Sequence, residues 1–226
     1  NQSQGISVWD FDDTLATTNS SVRYTKPNPS GIPQPNNKVI LMVGAAGAGK
    51  SNIISQLGLE QQGFKIVNPD ISLEAMKKKN KLPADMREFT AEQKKLHGQL
   101  QSESIKISKD KREQYKQNGQ GMVIDGTGSS YVNTIQLKEE FEKDGYDVQM
   151  IHVSTSLDTA VERNQQRKER SLLTGIVSAT WERVQQNIPG YKKVFGNKFT
   201  EIKTDNRKQD TPLPKRFTNK INKFTS

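Results

Sequence analysis

The chain has 226 residues, which suits one α/β domain with room for a small appendage. It contains no cysteine, so a disulfide framework, a thiolate zinc site and a cysteine nucleophile are excluded. The formal net charge of +9 at pH 7 favours an anionic partner such as a nucleotide or nucleic acid, or reflects a solvated lysine-rich surface.

Membrane and targeting signals are missing from the sequence. No run approaches the ~20 apolar residues of a membrane span, and no signal-peptide pattern is present. We therefore expect no membrane partner and a cytoplasmic location. The first residue is Asn1 rather than Met, as in a processed form or a fragment.

The first predicted element is a short strand over residues 6–11. Residues 8–15 read VWDFDDTL, which resembles the first motif of haloacid-dehalogenase-type phosphatases. That resemblance implies a nucleophile at Asp10 and an acid/base at Asp12, and two carboxylates there also bind Mg²⁺. The rest of a phosphatase has no room before the next element, so we expect a remnant acidic strand and turn. Residues 1–37 thus form an N-terminal segment ending in a proline-rich linker.

A strand, a glycine-rich loop and a helix are predicted next. Residues 38–43 form an apolar strand, and residues 51–59 can form a helix. The sequence GAAGAGKS at 44–51 fits the phosphate-binding P-loop pattern, whose backbone N–H groups cradle phosphate oxygens. In that pattern Lys50 supplies a charge to the β/γ-phosphates and Ser51 a hydroxyl to Mg²⁺. The predicted ATP-binding residues are Gly44, Ala45, Ala46, Gly47, Ala48, Gly49, Lys50, Ser51 and Asn52.

Carboxylates follow the next two predicted strands. Residues 64–68 form a strand that leads into Asp70, which can accept a proton from an attacking hydroxyl or cap the predicted helix at 71–79. A long polar helix spans 90–118. The strand at 121–125 ends in Asp125, which can hold a Mg²⁺-bound water, orient the acceptor or simply begin an Asp-Gly turn.

The last third of the chain contains a basic helix and a basic tail. We predict a helix at 131–144, a strand at 146–153, helices at 157–169 and 176–188, and a strand at 198–203. Arg163 and Arg167 are four residues apart on one predicted helical face, where guanidinium groups suit a transferring phosphoryl group. Residues 205–226 are expected to form a mobile or partner-ordered tail. His97 and His152 do not form a site, and His152 is expected to be packed.

Four motifs in this order resemble the zeta-toxin/polynucleotide-kinase group of P-loop kinases. They are the P-loop, NPD at 68–70, DGT at 125–127 and RNQQR at 163–167. The resemblance covers residues 38–203 and implies that Asp70 is the catalytic base and that Arg163 and Arg167 belong to a lid. After Arg167 the chain departs from the polynucleotide-kinase pattern, so the acceptor stays open.

The sequence therefore predicts a P-loop kinase. We expect a three-layer α/β sandwich with a mainly parallel sheet and an Arg-rich helical lid over residues 38–204. The predicted catalytic residues are Lys50, Asp70, Arg163 and Arg167. The predicted Mg²⁺ ligands are Ser51 and Asp125. The expected acceptor is a polynucleotide 5′-hydroxyl or nucleoside-type hydroxyl. The alternatives are a nucleotide-sugar acceptor, and a nucleotide-binding assembly module with little turnover.

Overall fold

The computed structural model describes residues 35–167, 172–205, 207–208 and 210–225, without the side chain of Arg87. The predicted strand at 6–11 lies outside these residues, and so do Asp10 and Asp12. Within the part that is described, no helix is long and apolar enough to cross a membrane.

Strands and helices alternate along the chain. The strands are β1 (Lys38–Val43), β2 (Lys65–Val67), β3 (Met122–Asp125), β4 (Asp147–Ser154) and β5 (Phe199–Lys203). The helices are α1 (Lys50–Gln56), α2 (Pro69–Lys79), α3 (Ala91–Gln117), α4 (Tyr131–Lys143), α5 (Leu157–Gln165), α6 (Thr174–Phe195) and α7 (Lys215–Thr225). Short 3-10 helices span Met86–Glu88 and Gly196–Lys198.

The five strands form one parallel sheet in the order β2-β3-β1-β4-β5. The predicted fold class is confirmed. Because β1 lies between β3 and β4, the chain leaves the carboxyl edge of β1 where the strand order reverses. Open parallel sheets bind ligands at such a point, so the loop after β1 is placed for function.

Each face of the sheet packs against its own layer of helices. Ile40 and Met42 of β1 point into one core, which α1 and α7 cover. Val39 and Leu41 point into the other, which α4 and α6 cover. This alternation explains why β1 is apolar at nearly every position, since strands covered on both faces read as continuous hydrophobic runs.

The C-terminal segment differs from its prediction. Instead of a mobile tail, the described residues include α7, whose Ile221 and Phe224 are buried in the same core as β1. These apolar side chains are three residues apart and share a helical face, while lysines occupy the rest of the helix. The expectation of a mobile tail is therefore wrong for α7, because its sparse apolar residues are spaced to bury one face.

Several predicted element bounds shift for identifiable reasons. The long helix α3 begins at Ala91 because Thr90 and Gln93 form a reciprocal capping box. Helix α5 ends at Gln165 rather than at the predicted residue 169. Helix α6 continues to Phe195, beyond the predicted end at 188, and buries Tyr191 and Phe195.

Both histidines are packed within the fold, as expected for His152. His152 is 1 % exposed in β4. Burial, offset in part by the nearby Glu201 carboxylate, lowers the pKa of His152 from 6.5 to about 4. His97 lies in α3 with its ring edge-on to Phe89 at 5.5 Å, and burial followed by the charge of Lys77 lowers its pKa. Among the described residues, neither histidine belongs to a group of three or more side chains that could hold a metal ion.

Candidate active site

The P-loop runs from Gly44 to Gly49 between β1 and α1 and is held from two sides. The Gly44 N–H donates to the carbonyl of Thr127, 3.0 Å away, in the loop after β3. Gly47 has a φ of +86° and lies against the backbone of Ala160, so that a Cβ at this position would collide with the Ala160 carbonyl oxygen. The loop therefore depends on glycine at position 47 for both its conformation and its contact with α5.

A lysine, an aspartate and an asparagine meet where β1, β2 and β3 end. The Lys50 ammonium donates to the Gly44 carbonyl at 2.9 Å and lies 3.8 Å from Asp125 Oδ1. Asn68 Nδ2 donates to Asp125 Oδ2 at 2.7 Å. The Asp125 carboxylate is only 6 % exposed, so both contacts offset the cost of burying its charge. Sequence reasoning found Lys50 and Asp125 but gave Asn68 no role.

Asp70 lies on the exposed side of this cluster, in the first turn of α2. The helix begins at Pro69, and Asn68 is its N-cap, with its side-chain oxygen accepting from the Asp70 N–H at 2.8 Å. The alternative in which Asp70 caps a helix starting at residue 71 is therefore wrong. A carboxylate in the first turn is favoured by the helix dipole, and the Asp70 side chain is exposed.

Arg163 is fixed beside the P-loop by the chain that follows β5. Its guanidinium donates to Thr204 Oγ1 at 3.1 Å and to the Thr204 carbonyl at 2.7 Å. The same Thr204 hydroxyl lies 2.9 Å from the carbonyl of Ala48, to which it donates. Arg163 Nη1 also lies 3.9 Å from where a Cβ on Gly49 would stand. Arg163 thus connects α5, the P-loop and the loop after β5.

Arg167 does not share a helical face with Arg163, and this prediction is wrong. Helix α5 ends at Gln165, and Arg167 is an exposed residue beyond the helix. The cause is Asn164, which is 1 % exposed and whose amide pairs with both backbone groups of Leu172, at 2.8 and 3.1 Å. This pairing joins the end of α5 to Leu172, just before α6 begins. A buried asparagine in a polar sequence gave no signal of this role.

The loop after β3 is positioned by helix α6. Tyr191 donates its hydroxyl to the Gly128 carbonyl at 2.8 Å, and Asn187 donates to the same carbonyl at 3.0 Å. Trp181 donates from its indole to the carbonyl of Thr155, which follows β4. Helix α6 therefore supports two of the loops that border the P-loop, although its side chains carried no motif.

The oxygen donors at this edge of the sheet suit Mg²⁺. Ser51 lies exposed at the start of α1 and Asp125 ends β3, so the donors are one hydroxyl and one carboxylate. Among the described residues, no three histidine or acidic side chains cluster as a metal cage. Mg²⁺ is usually held by one or two protein oxygens together with water and substrate phosphates, and this donor set fits that pattern.

A small cleft opens on the other side of Asp125, away from the P-loop. Its volume is about 180 Å³, and it lies between the ends of β2 and β3 and one face of α3. Ile105 of α3 is 48 % exposed and forms part of its wall. The cleft thus borders the buried Asp125 carboxylate, and no P-loop residue lines it.

Comparison with known proteins places this site in a recognised family. A family model described as an AAA domain (AAA_33) matches residues 39–189. No curated protein sequence matches the chain.

Three solved structures share the fold. A candidate kinase from Chloroflexus aurantiacus is 12 % identical, with a TM-score of 0.53 over 84 % of this chain and 96 % of that chain. AvrRxo1-ORF1:-ORF2 with ATP is 18 % identical, with a TM-score of 0.55 over 74 % of this chain and 52 % of that one. The PezAT toxin–antitoxin system of Streptococcus pneumoniae is 16 % identical, with a TM-score of 0.53 over 77 % of this chain and 71 % of that chain.

The chain spans about half of the AvrRxo1 chain and nearly all of the Chloroflexus one. These likenesses confirm the kinase-type P-loop fold that the four motifs indicated. With the P-loop at residues 44–51 inside the matched region, the chain belongs to the AAA_33 family of AAA domains.

Proposed function

We propose that this protein is an ATP-dependent kinase that transfers the γ-phosphoryl group to a hydroxyl acceptor. The observation that carries the proposal is the cluster of Lys50, Asp125 and Asn68 at the mouth of the P-loop, beside the cleft that Asp125 and α3 line. Asp125 lies 3.8 Å from Lys50 and also lines the cleft, so a nucleotide at the P-loop and an acceptor in the cleft would both approach this carboxylate. The family match and the shared fold support nucleotide binding of this type.

The chain's own residues supply positioning and charge. Lys50 neutralises charge on the β- and γ-phosphoryl oxygens, and its contact with Asp125 keeps the ammonium aimed at the loop mouth. Asp70 accepts the proton of the acceptor hydroxyl. The acceptor oxygen forms a bond to the γ-phosphorus while the bond to the β–γ bridging oxygen breaks, and ADP leaves with that electron pair. Ser51 and Asp125 would hold Mg²⁺, which when bound offsets phosphate charge.

Arg163 and Arg167 have different roles in the proposed reaction. Arg163 is a positioning residue, because its guanidinium is engaged with Thr204 and the P-loop side of α5. Arg167, exposed beyond α5, is the cation that contacts the transferred phosphoryl group. We expect the replacement of Arg167 to lower kcat. The replacement of Arg163 should mainly raise the KM for ATP.

The favoured acceptor is a polynucleotide 5′-hydroxyl or a nucleoside-type hydroxyl, which the net charge of +9 supports. The second candidate is a small-molecule acceptor such as a nucleotide sugar. The observation that favours it is the small volume of the cleft, about 180 Å³. The two differ in salt dependence, since binding to a polynucleotide weakens steeply as salt rises.

The test uses γ-labelled ATP and Mg²⁺ with 5′-hydroxyl DNA and RNA oligonucleotides, nucleosides and nucleotide sugars. Label should appear on an acceptor with the wild type and fall by about 100-fold or more with Lys50→Ala. Asp70→Asn should lose about 100-fold or more of transfer and still bind ATP. Asp110→Asn, an exposed carboxylate on α3, is the matched control and should keep transfer. ATP bound with no label on any acceptor would instead favour an assembly module.

A further inference from the structure

The C-terminal helix α7 has a positively charged outer face. Its sequence, KRFTNKINKFT, contains four basic residues and no acidic one. Ile221 and Phe224 are buried against the sheet, and Lys220 is used on that side too, donating from Nζ to the Phe199 carbonyl at 2.9 Å. The exposed residues of the outer face are Lys215, Arg216, Asn219, Asn222 and Lys223. This face therefore combines three cations with two amides, all of which can donate hydrogen bonds to an anion.

The layer that contains α7 differs in charge from the layer on the other face of the sheet. Helix α1, which covers the same core as α7, also has no acidic residue. In the segment before α7, Lys208 and Asp210 are both exposed and their charges cancel. On the other face, acidic residues are mixed with the basic ones of α4 and α6: Glu139, Glu140, Glu142 and Glu182. The unbalanced positive charge on α7 is thus a local feature of one side of the molecule.

The cations of α7 are displayed on a fixed element. Besides its buried apolar face, the helix is held at its C-terminal end by Lys38, whose ammonium donates to the Phe224 carbonyl. The Arg216 guanidinium lies over the Phe217 ring, 4.7 Å from its centroid. A partner would therefore spend little conformational entropy on ordering this surface, which favours binding.

The spacing of the cations suits a row of phosphates. Lys215 and Lys223 are eight residues apart, or about 12 Å along the helix axis. One strand of a nucleic-acid duplex places a phosphate about every 3.4 Å along its axis, so this length covers about three of them. Lys215 and Arg216 also occupy the first turn, where the helix dipole disfavours cations, and a bound phosphate would offset that cost.

Two other anionic partners fit this face less well. A helix that binds an anionic membrane inserts its apolar face into the lipid, but in α7 that face is already buried in the protein core. Proteins that hold single-stranded nucleic acid stack its bases on aromatic side chains. Within α7, Phe224 is buried and Phe217 is half-buried under Arg216, so the outer face offers no such platform.

We infer that the outer face of α7 binds the phosphate backbone of double-stranded nucleic acid without reading its sequence. The surface is separate from the cleft beside Asp125. Helix α7 packs on the core that it shares with α1, whereas α3, which lines the cleft, packs its Tyr115 against the other core. The inference does not rest on the proposed kinase function, because a duplex held in this way needs no hydroxyl that accepts a phosphoryl group.

The experiment measures fluorescence anisotropy of a labelled DNA duplex that is phosphorylated at both 5′ ends, with no ATP present. This probe offers no 5′-hydroxyl to the candidate active site. We expect binding that weakens about 40-fold between 50 and 200 mM salt, as for three phosphate contacts. A single strand of the same length should bind more weakly, and vesicles containing phosphatidylserine should not bind. A preference for the single strand, or binding to the vesicles in place of the duplex, would overturn the inference.

Charge variants test whether the contact is local. The triple variant Lys215→Gln, Arg216→Gln and Lys223→Gln should lower the slope of log Kd against log salt concentration by about 3, with an unchanged Tm. Asn219→Lys, on the same face, should raise that slope by about 0.9. The matched control removes three exposed cations from the other layer, with Lys143→Gln, Arg183→Gln and Lys193→Gln, and should keep the wild-type slope. An equal fall in both triple variants, or no rise with Asn219→Lys, would refute a specific role for α7.

Discussion

Acid should destabilise this fold between pH 7 and pH 5, chiefly through His152. The imidazole is 1 % exposed, and its pKa is lowered by burial from 6.5 to about 4. Glu201 lies 3.7 Å from Nδ1 and opposes the shift, but its own charge is shared with Lys192 at 3.1 Å. The folded protein therefore holds His152 neutral at pH values where the unfolded chain protonates it.

The sign and size of the effect follow from this difference. Because the folded pKa is the lower one, the stabilisation is present above pH 6.5 and is lost as the pH falls toward 4. Each pH unit within that window costs about 1.4 kcal/mol, so the free energy of unfolding should fall by about 2 kcal/mol from pH 7 to pH 5. The lowered carboxyl pKa values of Glu113, Glu201 and Asp205 act mainly below pH 5, because their ordinary values are 4.5 for glutamate and 3.8 for aspartate.

The assay is urea unfolding followed by tryptophan fluorescence at pH 7 and pH 5. His152→Gln removes the titrating group, so its free energy of unfolding should change much less between the two pH values, whatever its absolute stability. His97→Gln is the comparison, because the chain has only these two histidines and the pKa of His97 is also lowered. An undiminished loss in His152→Gln would refute the assignment of the acid sensitivity to this residue.

Two further predictions concern the P-loop and its support. Gly47→Ala should abolish the rise in Tm that ATP gives the wild type, because position 47 has a φ of +86° and no space for a Cβ. The control is Gly98→Ala in helix α3, where no atom lies within 4 Å of an added Cβ. This variant should show the same rise in Tm with ATP as the wild type. Thr204→Val should cost about 1–3 kcal/mol of stability and raise the KM for ATP, because it removes an acceptor from Arg163. Thr200→Val is the control, since the Thr200 hydroxyl has no hydrogen-bond partner among the described residues. An equal loss of stability in both threonine variants would contradict this reasoning.

The parts that sequence predicted well are those governed by neighbours along the chain. The apolar run of β1 and the glycines before Lys50 specify a strand, a tight loop and a helix start within about fifteen residues. The capping box at Thr90 marks the start of α3 by the same local chemistry. The order of strands and helices then limits the fold to a parallel sheet covered on both faces.

The parts that sequence missed depend on residues distant in the chain. Asn164 ends α5 through the backbone of Leu172, which a helical pattern of charged residues does not reveal. Arg163 is bound by Thr204, about forty residues later, and the spacing of basic residues in the sequence does not reveal this contact. Helix α7 was missed because its few apolar residues stabilise it only against the sheet.

By itself, the sequence determined that residues 44–51 form a P-loop between a strand and a helix and that Asp70 and Asp125 follow parallel strands. Those features follow from backbone conformation and side-chain chemistry over short spans. Only the tertiary structure decided that Lys50, Asp125 and Asn68 meet, and that Asn68 rather than Asp70 caps α2. Contacts between strand ends depend on strand order and register, which many distant residues determine together.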